Sequence, residues 1–505
     1  MKKKIIAGLL AAMMLFTAGC GGAGTSSADT AAGGGSAEEA AAVENASGSA
    51  EAAAESSGEV PTIIWWNVGS LPTNADAWEE EVNKYLESEI GVRVDYRAIP
   101  WGDWPTKHNT IINSGEYFDI MFVDVGLYNQ FASMGAFADL TDLLPTAAPK
   151  LQEFIPEEIW QGVTTRDGIF AVPTYKDCAR TSFFVFDKQY IDKYNIDYES
   201  IDTMEELDSY FRTIKAGEGD SYYPLQMTTA LCWNGLFENY DTLGGSLDAV
   251  GVRLDDEDYQ VVCTLEQPDI QENLNWLHTW YMDGITNPDA NVQTETNRQR
   301  PFFKAVGWPG AVASWAISEG VDEYVATKVF GPSYTTESIQ GSLNCISANS
   351  EHKEAALKLL EFVNTDHKAR DMFAYGIEGE NFEYVEDNVV RLLDDVFSAI
   401  STYSQASFFT MSTVEGNQKD QYEEIKEQNE AATSTALLGF TLNMEPIMDE
   451  LAACRTVWSK YSNDLTTGAS DPNEVIPQII KEMKSVGLDT VMEEAQRQVD
   501  EFLGK

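Results

Sequence analysis

Apolar residues recur with two different periods in the chain that follows Pro61. The apolar run 63–66 predicts a strand. Four apolar residues on one helical face then predict a helix that ends at Gly91: Trp78, Val82, Tyr85 and Leu86. Alternation over 92–96 predicts a second strand, and "FDIMFVD" at 118–124 predicts a buried third strand after another helix. This β-α-β-α-β order predicts an α/β fold with a parallel sheet covered by helices on both faces.

Two adjacent tryptophans, Trp65 and Trp66, lie in the first predicted strand. Because successive strand residues point to opposite faces, the two rings cannot pack in the same way. Core packing is the alternative for each of them. Ligands of open α/β sheets bind at the carboxyl ends of strands, where Trp66, Asn67 and, one strand further on, Asp124 are expected. Of the pair, Trp66 is therefore predicted to face a cleft.

The rest of the chain combines loops with predicted helices. The long middle is rich in aromatic residues and loops, with helices predicted around 203–215 and 268–284. Trp276 and Trp280 are four residues apart on one helical face and are predicted to lie in the core. From Met444 onward, apolar stripes at helical spacing predict core-facing helices.

The amino-terminal residues have the order of an export signal. Three lysines precede an apolar run at 5–16, which is too short to span a bilayer, and small residues then lead to Cys20. The Ala-Gly-Cys junction resembles the lipobox of bacterial lipoproteins, in which the cysteine carries the lipid. Residues 1–19 are thus predicted to be the signal peptide of a lipoprotein, with Cys20 as the lipidated residue. The alternative is an ordinary secretory signal, which is cleaved without attachment of a lipid. Residues 20–60 contain no lysine, arginine or aromatic residue and are predicted to be a disordered tether behind the lipid.

The charge of the chain excludes some partners. It has 33 Lys+Arg against 82 Asp+Glu, a formal net charge of −49, which argues against nucleic acid and against direct binding to an anionic membrane surface. The cysteines after position 20 and the histidines are scattered, without metal-ligand spacing: Cys178, Cys232, Cys263, Cys345 and Cys454, and His108, His278, His352 and His367. We therefore predict no metal site, no cofactor, and cysteines that are mostly buried and reduced.

Several segments together carry a family resemblance. "INSGEYFDIMFVDVGLYNQFASMGAFADLTDLL" at 112–144 resembles the extracellular solute-binding proteins of bacterial ABC importers, particularly the carbohydrate-type group. The similarity continues in the same order through the segments 167–175, 183–197, 203–225 and 351–388. Residues 436–461 look like the carboxyl-terminal region of a lipoprotein subgroup of that family.

The resemblance implies a two-lobed, periplasmic-binding-protein-like α/β fold with hinge crossovers and additional carboxyl-terminal helices. Solute would bind in the cleft between the lobes. By position, the chain should cross at "AVPTY", return near 331–340 and cross again after "AYGIEG" at 374–379. The expected division is 61–174 plus 335–375 for the first lobe, and 175–334 plus 376–505 for the second.

Binding residues of the family sit at strand ends and crossover loops. In this chain the resemblance implies the following ligand-binding positions: Trp66, Asn67, Asp124, Tyr128, Tyr175, Asp177, Arg180, Trp233, Trp308, Trp315 and Tyr375. Sugars fit this composition, because their apolar C–H faces stack on aromatic rings while their hydroxyls need fixed donors and acceptors. In "WPGAVASW" at 308–315 a loop would present Trp308, although a packed tryptophan is an equally good interpretation there and at Trp233.

The predicted function is the substrate-binding component of an ABC import system that captures an oligosaccharide and delivers it to a membrane permease. Such a protein is not an enzyme, and it is expected to be an extracytoplasmic, lipid-anchored monomer. The alternative is an exported glycoside hydrolase, which needs two carboxyl groups flanking the scissile bond, and a surface adhesin is a third possibility. A peptide or another polar solute in place of sugar is also compatible with the sequence.

Overall fold

The computed structural model describes residues 60–294 and 299–505. The predicted signal peptide, Cys20 and the predicted tether lie outside the described residues. Within the described residues, no helix is long and apolar enough to cross a membrane. No disulfide joins the five cysteines of this part of the chain, and four of them are buried: Cys178, Cys263, Cys345 and Cys454.

The elements in chain order are as follows. The strands are β1 Thr62–Val68, β2 Arg93–Ile99, β3 Ile120–Val123, β4 Thr164–Thr165, β5 Gly168–Ile169, β6 Ala171–Pro173, β7 Arg180–Asp187, β8 Tyr240–Asp241, β9 Val250–Arg253, β10 Val261–Cys263, β11 Phe302–Val306, β12 Tyr324–Tyr334, β13 Leu343–Ile346, β14 Phe382–Glu386, β15 Val389–Leu392, β16 Thr413–Val414 and β17 Thr433–Ser434. The α-helices are α1 Ala75–Ile90, α2 Trp104–Ser114, α3 Val125–Ser133, α4 Leu144–Ala147, α5 Pro149–Phe154, α6 Glu157–Val163, α7 Lys188–Tyr194, α8 Met204–Glu218, α9 Pro268–Met282, α10 Ala311–Glu319, α11 Thr336–Gln340, α12 Lys353–Thr365, α13 His367–Tyr375, α14 Gln421–Glu430, α15 Met448–Thr466, α16 Pro472–Ser485 and α17 Leu488–Phe502.

The first lobe is built on a five-stranded sheet in the order β2-β1-β3-β13-β6. β1 pairs in parallel with both β2 and β3, which confirms the predicted β-α-β-α-β unit. β13 is antiparallel to β3 and to β6, because the chain re-enters this lobe from the other direction. As a result β6 runs parallel to β3, and the carboxyl ends of β1, β2, β3 and β6 lie at one edge of the sheet.

The second lobe is built on a four-stranded sheet in the order β11-β7-β12-β17, with a smaller antiparallel sheet β10-β9-β8 beside it. Side chains of α8, α9 and the three carboxyl-terminal helices α15 to α17 also pack in the core of this lobe. The predicted core position of Trp280 is confirmed, since its ring is 0 % exposed, while Trp276 is half-buried beside it with ring centroids 6.0 Å apart. Two α/β lobes are thus present, as the resemblance implied.

Three segments connect the lobes. Residues 174–179 lead from β6 to β7, and residues 335–342 lead from β12 back to β13. The third passage, predicted after 374–379, has no sharp boundary in the packing. Phe397, Ile400 and Ala406 still pack in the first core, whereas other residues between 374 and 425 form a small third core with Trp308 and Ala311. By 433–434 the chain has reached the second sheet, where β17 pairs with β12.

Candidate functional site

The first crossing joins a strand end of the first sheet to a strand end of the second. The chain leaves the carboxyl end of β6 and reaches the amino end of β7, at Arg180, after six residues. Arg180 therefore lies six residues along the chain from the edge of the first sheet where β1, β2 and β3 also end. This placement agrees with the rule that open α/β sheets bind ligands outside the carboxyl ends of their strands.

The two opening tryptophans have different surroundings. Trp65 is 0 % exposed, and its indole N–H donates to Asn344 Oδ1 at 3.0 Å in the first core. Trp66 points to the opposite face, where it is half-buried beneath the Arg97 guanidinium, 5.2 Å from the ring centroid. Arg97 is held over the ring by the carboxylate of Asp95. Of the pair, Trp66 has the more open environment.

Asn67 at the end of β1 anchors a distant part of the chain to this edge. It is fully buried, its amide donates to Ser404 O at 3.2 Å, and its Oδ1 accepts from Ser404 Oγ at 2.6 Å and from the backbone N–H of Val68 at 2.7 Å. The polar atoms of Asn67 are thus engaged within the protein. Their effect is to hold the segment 401–405 against the sheet edge.

Asp124 follows β3 and is half-buried at the amino end of α3. Burial raises the pKa of its carboxyl, while the neighbouring His108 and the backbone N–H groups of Gly126 and Leu127 act in the opposite direction. The His108 Nδ1 lies 2.6 Å from Trp104 O, and because a carbonyl only accepts, this nitrogen carries a proton. Burial also lowers the pKa of His108, and the neighbouring Asp124 opposes that shift.

Trp101 and Tyr403 border the same edge and were absent from the positions predicted from the sequence. Trp101 follows β2, is 44 % exposed, and packs edge-to-face on Phe122 with ring centroids 6.0 Å apart. The Tyr403 hydroxyl oxygen accepts a hydrogen bond from the Trp101 side chain and lies within the electrostatic influence of Asp124. A tryptophan directly after a predicted strand, in "IPWGDW", was the signal available for Trp101; nothing local marked Tyr403.

The second lobe contributes a group of buried charges beside Arg180. Lys304 and Glu238 form an ion pair with side chains only 7 % and 8 % exposed, and Ser182 Oγ donates to the same carboxylate at 2.6 Å. Burial lowers the pKa of Lys304, and Glu238 opposes that shift. Burial raises the pKa of Glu337, which Arg180 partly counteracts. Arg180 therefore stands in a mixed-charge environment at its end of the gap.

Residues of the first crossing are tied to both lobes. Lys176 Nζ and Asp177 Oδ1 form an ion pair at 2.8 Å, and Asn429 Nδ2 donates to the Lys176 carbonyl. The ring of Tyr175 packs against Phe409 with centroids 4.3 Å apart. Tyr175 and Asp177 thus belong to the crossing itself, at the base of the gap.

The other aromatic positions predicted for the site lie in packed surroundings. Tyr128 is 0 % exposed and its hydroxyl donates to Val163 O at 2.6 Å, and Tyr375 is 3 % exposed and donates to Ser412 O at 2.6 Å. Trp233 packs against Phe302 with ring centroids 6.1 Å apart, and Trp315 is half-buried beside Phe303 with centroids 5.8 Å apart. Trp308 lies in a small third core. In this conformation the structure does not bring these five rings together with Asp124 and Arg180.

Two further features bear on the chemistry of the site. A cavity of about 210 Å³, bordered by Gln226 and Arg300, lies within the second lobe and away from the facing strand ends. Among the described residues, no group of three or more His, Cys, Asp or Glu side chains is arranged to hold a metal ion. The carboxyl strand ends of the first sheet, where open α/β sheets bind ligands, are the better candidate for solute.

Two α/β lobes connected by three crossings, with polar and aromatic residues at the facing strand ends, define a solute-binding protein. The chain belongs to the bacterial extracellular solute-binding protein family, whose model matches residues 69–369. This confirms the predicted family, its role in solute binding and an extracytoplasmic location. Residues 436–504 match a separate domain of unknown function, DUF3502.

Relatives of the chain are carbohydrate-transport proteins. It is 29 % identical over 472 residues to the carbohydrate ABC transporter substrate-binding protein of Streptococcus pneumoniae serotype 4, covering 91 % of this chain and 94 % of that one. The N-glycan transport solute binding protein NgtS of Streptococcus pneumoniae is 26 % identical, with a TM-score of 0.78 over 88 % of this chain and 99 % of that one. The same protein in complex with Man5GlcNAc gives a TM-score of 0.69 at 26 % identity and the same coverage.

Proposed function

We propose that this chain is the substrate-binding component of an ABC import system and that it captures an oligosaccharide between its lobes. The observation that carries the proposal is the arrangement of Trp101, Tyr403 and Asp124 at the carboxyl edge of the first sheet, from which the first crossing leads to Arg180 at the start of β7. Aromatic rings with fixed polar groups beside them meet the two requirements of a sugar, an apolar face and hydroxyls. The relatives named above, described by carbohydrate and N-glycan transport, support this solute class.

We further propose that the lobes close over the solute. The chain is more similar to NgtS described without a glycan, at a TM-score of 0.78, than to NgtS in complex with Man5GlcNAc, at 0.69. A different arrangement of the lobes in the two NgtS structures would account for this difference in TM-score. A solute that touches both lobes binds the closed form more tightly, and that difference in affinity drives closure.

Calorimetric titration with Man5GlcNAc and with other oligosaccharides is expected to show one-to-one binding. Small-angle scattering at saturation is expected to show a smaller radius of gyration, because closure brings the two lobes together. Chromatography after prolonged incubation should return the glycan intact, since the chain is proposed to bind and not to transform it. Protein-dependent loss of the glycan would favour the glycoside hydrolase, and preferential binding of peptides would replace the solute class.

We also propose that the protein is a lipid-anchored monomer that delivers its solute to membrane permease subunits. The support is the amino-terminal sequence, in which a charged start and a short apolar run precede Cys20, and a tether follows. Changing Cys20 to serine is expected to release the protein from the membrane fraction, because serine cannot accept the thioether-linked lipid. Fractionation and immunoblotting measure this. A variant that stays with the membranes would show that another anchor holds the chain.

A further inference from the structure

We propose that Trp101, Tyr403 and Asp124 form a subsite for one neutral pyranose ring, with the ring stacked on Trp101. The inference rests on the proposed binding of oligosaccharide. It specifies the residues that hold one sugar ring and the charge of that sugar. We call these three residues the edge subsite.

The exposure of Trp101 is unusual within this chain. The protein has twelve tryptophans, all of them within the described residues, and Trp101 is the one whose side chain is exposed, at 44 %. Four others are almost completely buried: Trp65, Trp78, Trp104 and Trp280. An indole is the largest apolar side chain, and leaving it in water forgoes stabilisation that burial would give. The exposure of the Trp101 indole at the carboxyl edge of the sheet is consistent with its burial by a bound ligand.

The ring is also held in one orientation before any solute arrives. Its edge-to-face contact with Phe122 fixes the tilt, and its hydrogen bond to the Tyr403 hydroxyl satisfies the indole N–H. Tyr403 is itself placed by the segment that Asn67 holds against the sheet. A stacking surface that is already ordered loses little conformational entropy on binding, so more of the contact energy appears as affinity.

The polar neighbour sets the charge of the sugar. Asp124 is half-buried, and its carboxylate accepts hydrogen bonds but, when ionised, donates none. A sugar hydroxyl donates to such an acceptor, whereas the carboxylate of an acidic sugar would be repelled by it. Tyr403, which lies near both Asp124 and Trp101, offers no positive charge to offset this repulsion. The edge subsite is therefore suited to a neutral hexose and unsuited to a uronic or sialic acid.

Calorimetric titration with Man5GlcNAc tests the stacking. Trp101→Ala is expected to weaken binding about tenfold or more, the loss of roughly 1.4 kcal/mol, and Trp101→Phe is expected to retain part of the affinity because it keeps an aromatic face. Trp101→Leu should resemble Trp101→Ala, since it restores apolar area without a π-face. The matched control is Met134→Ala, which removes another exposed apolar side chain of the first lobe, 62 % exposed, and should leave affinity unchanged.

Tests of the charge preference use Asp124→Asn and a glucuronate-containing oligosaccharide of similar size. The unchanged protein should bind the acidic sugar at least tenfold more weakly than Man5GlcNAc, and Asp124→Asn should narrow that difference. Equal affinity of Trp101→Ala and the unchanged protein, with glycan binding intact, would overturn the edge subsite while leaving the proposed function standing. If the unchanged protein binds none of the oligosaccharides, the proposed function fails instead.

Fluorescence gives an independent reading. Subtracting the emission spectrum of Trp101→Phe from that of the unchanged protein gives the emission of Trp101. This difference spectrum should shift to shorter wavelength when Man5GlcNAc covers the ring. An unshifted difference spectrum at saturation would contradict stacking on Trp101.

Discussion

Replacing Lys304 by methionine is expected to lower the free energy of unfolding by about 3–5 kcal/mol, the range for removing one member of a buried ion pair. The methionine fills much of the space of the lysine stem. It leaves the Glu238 carboxylate, with its side chain 8 % exposed, without its ion-pair partner and with the Ser182 hydroxyl as a remaining hydrogen-bond donor. Chemical denaturation monitored by fluorescence and circular dichroism measures the loss.

The matched control replaces both members, Lys304 and Glu238, by methionine. Because two apolar residues of similar volume carry no desolvation cost, this double variant should recover most of the stability lost in the single variant. A double variant as unstable as Lys304→Met would show that the loss of stability comes from packing around the lysine stem and not from the unpaired Glu238 carboxylate.

Arg370→Met is expected to cost about 3 kcal/mol or more and to loosen the segment that carries Tyr403. Arg370 is 0 % exposed, and it donates to Ser407 O at 2.8 Å, to Thr402 O at 2.9 Å and to Gln405 Oε1 at 3.1 Å. Burial lowers the pKa of this guanidinium, yet these acceptors compensate for part of the cost. Each buried acceptor left without a donor costs about 1–3 kcal/mol.

Stability and solute affinity should both fall in Arg370→Met, because the segment 401–405 supplies Tyr403 to the edge subsite. Urea denaturation gives the first quantity, and calorimetric titration of the folded fraction gives the second. The comparison is Arg97→Met, which removes a half-buried guanidinium from the Trp66 ring and should change stability by less than about 1 kcal/mol. Unchanged stability in Arg370→Met would mean that water satisfies the three acceptors.

The regular part of the first lobe was predictable because local rules and tertiary packing agree there. Gly91 ends α1 with φ 64° and Gly115 ends α2 with φ 71°, the left-handed conformation that glycine adopts most easily. Pro105 lies in the first turn of α2, where its missing N–H costs nothing. The parallel pairing of β1 with β2 and β3 then follows from the strand-helix order.

The site was less predictable, because residue type does not separate an aromatic ring that binds solute from one that packs in a core. Tyr128 and Tyr375 occupy positions that the resemblance implied, but both hydroxyls donate to backbone carbonyls inside the protein. Trp101 was distinguishable only by exposure, which depends on the fold. The pairing of Lys304 with Glu238 spans 66 residues and leaves no local pattern.

The bonds between Asn67 and Ser404 have a consequence for the order in which the protein folds. They join residues 337 positions apart, so the edge of the first sheet remains incomplete until most of the chain is available. Contacts of such long range form late, because the entropy of closing a large loop must be overcome before they contribute. Much of the sheet can pair before residue 400 is available, but the segment 401–405 joins its edge late. A chain interrupted before residue 400 would therefore contain Trp101 and Asp124 and still lack Tyr403, the third residue of the edge subsite.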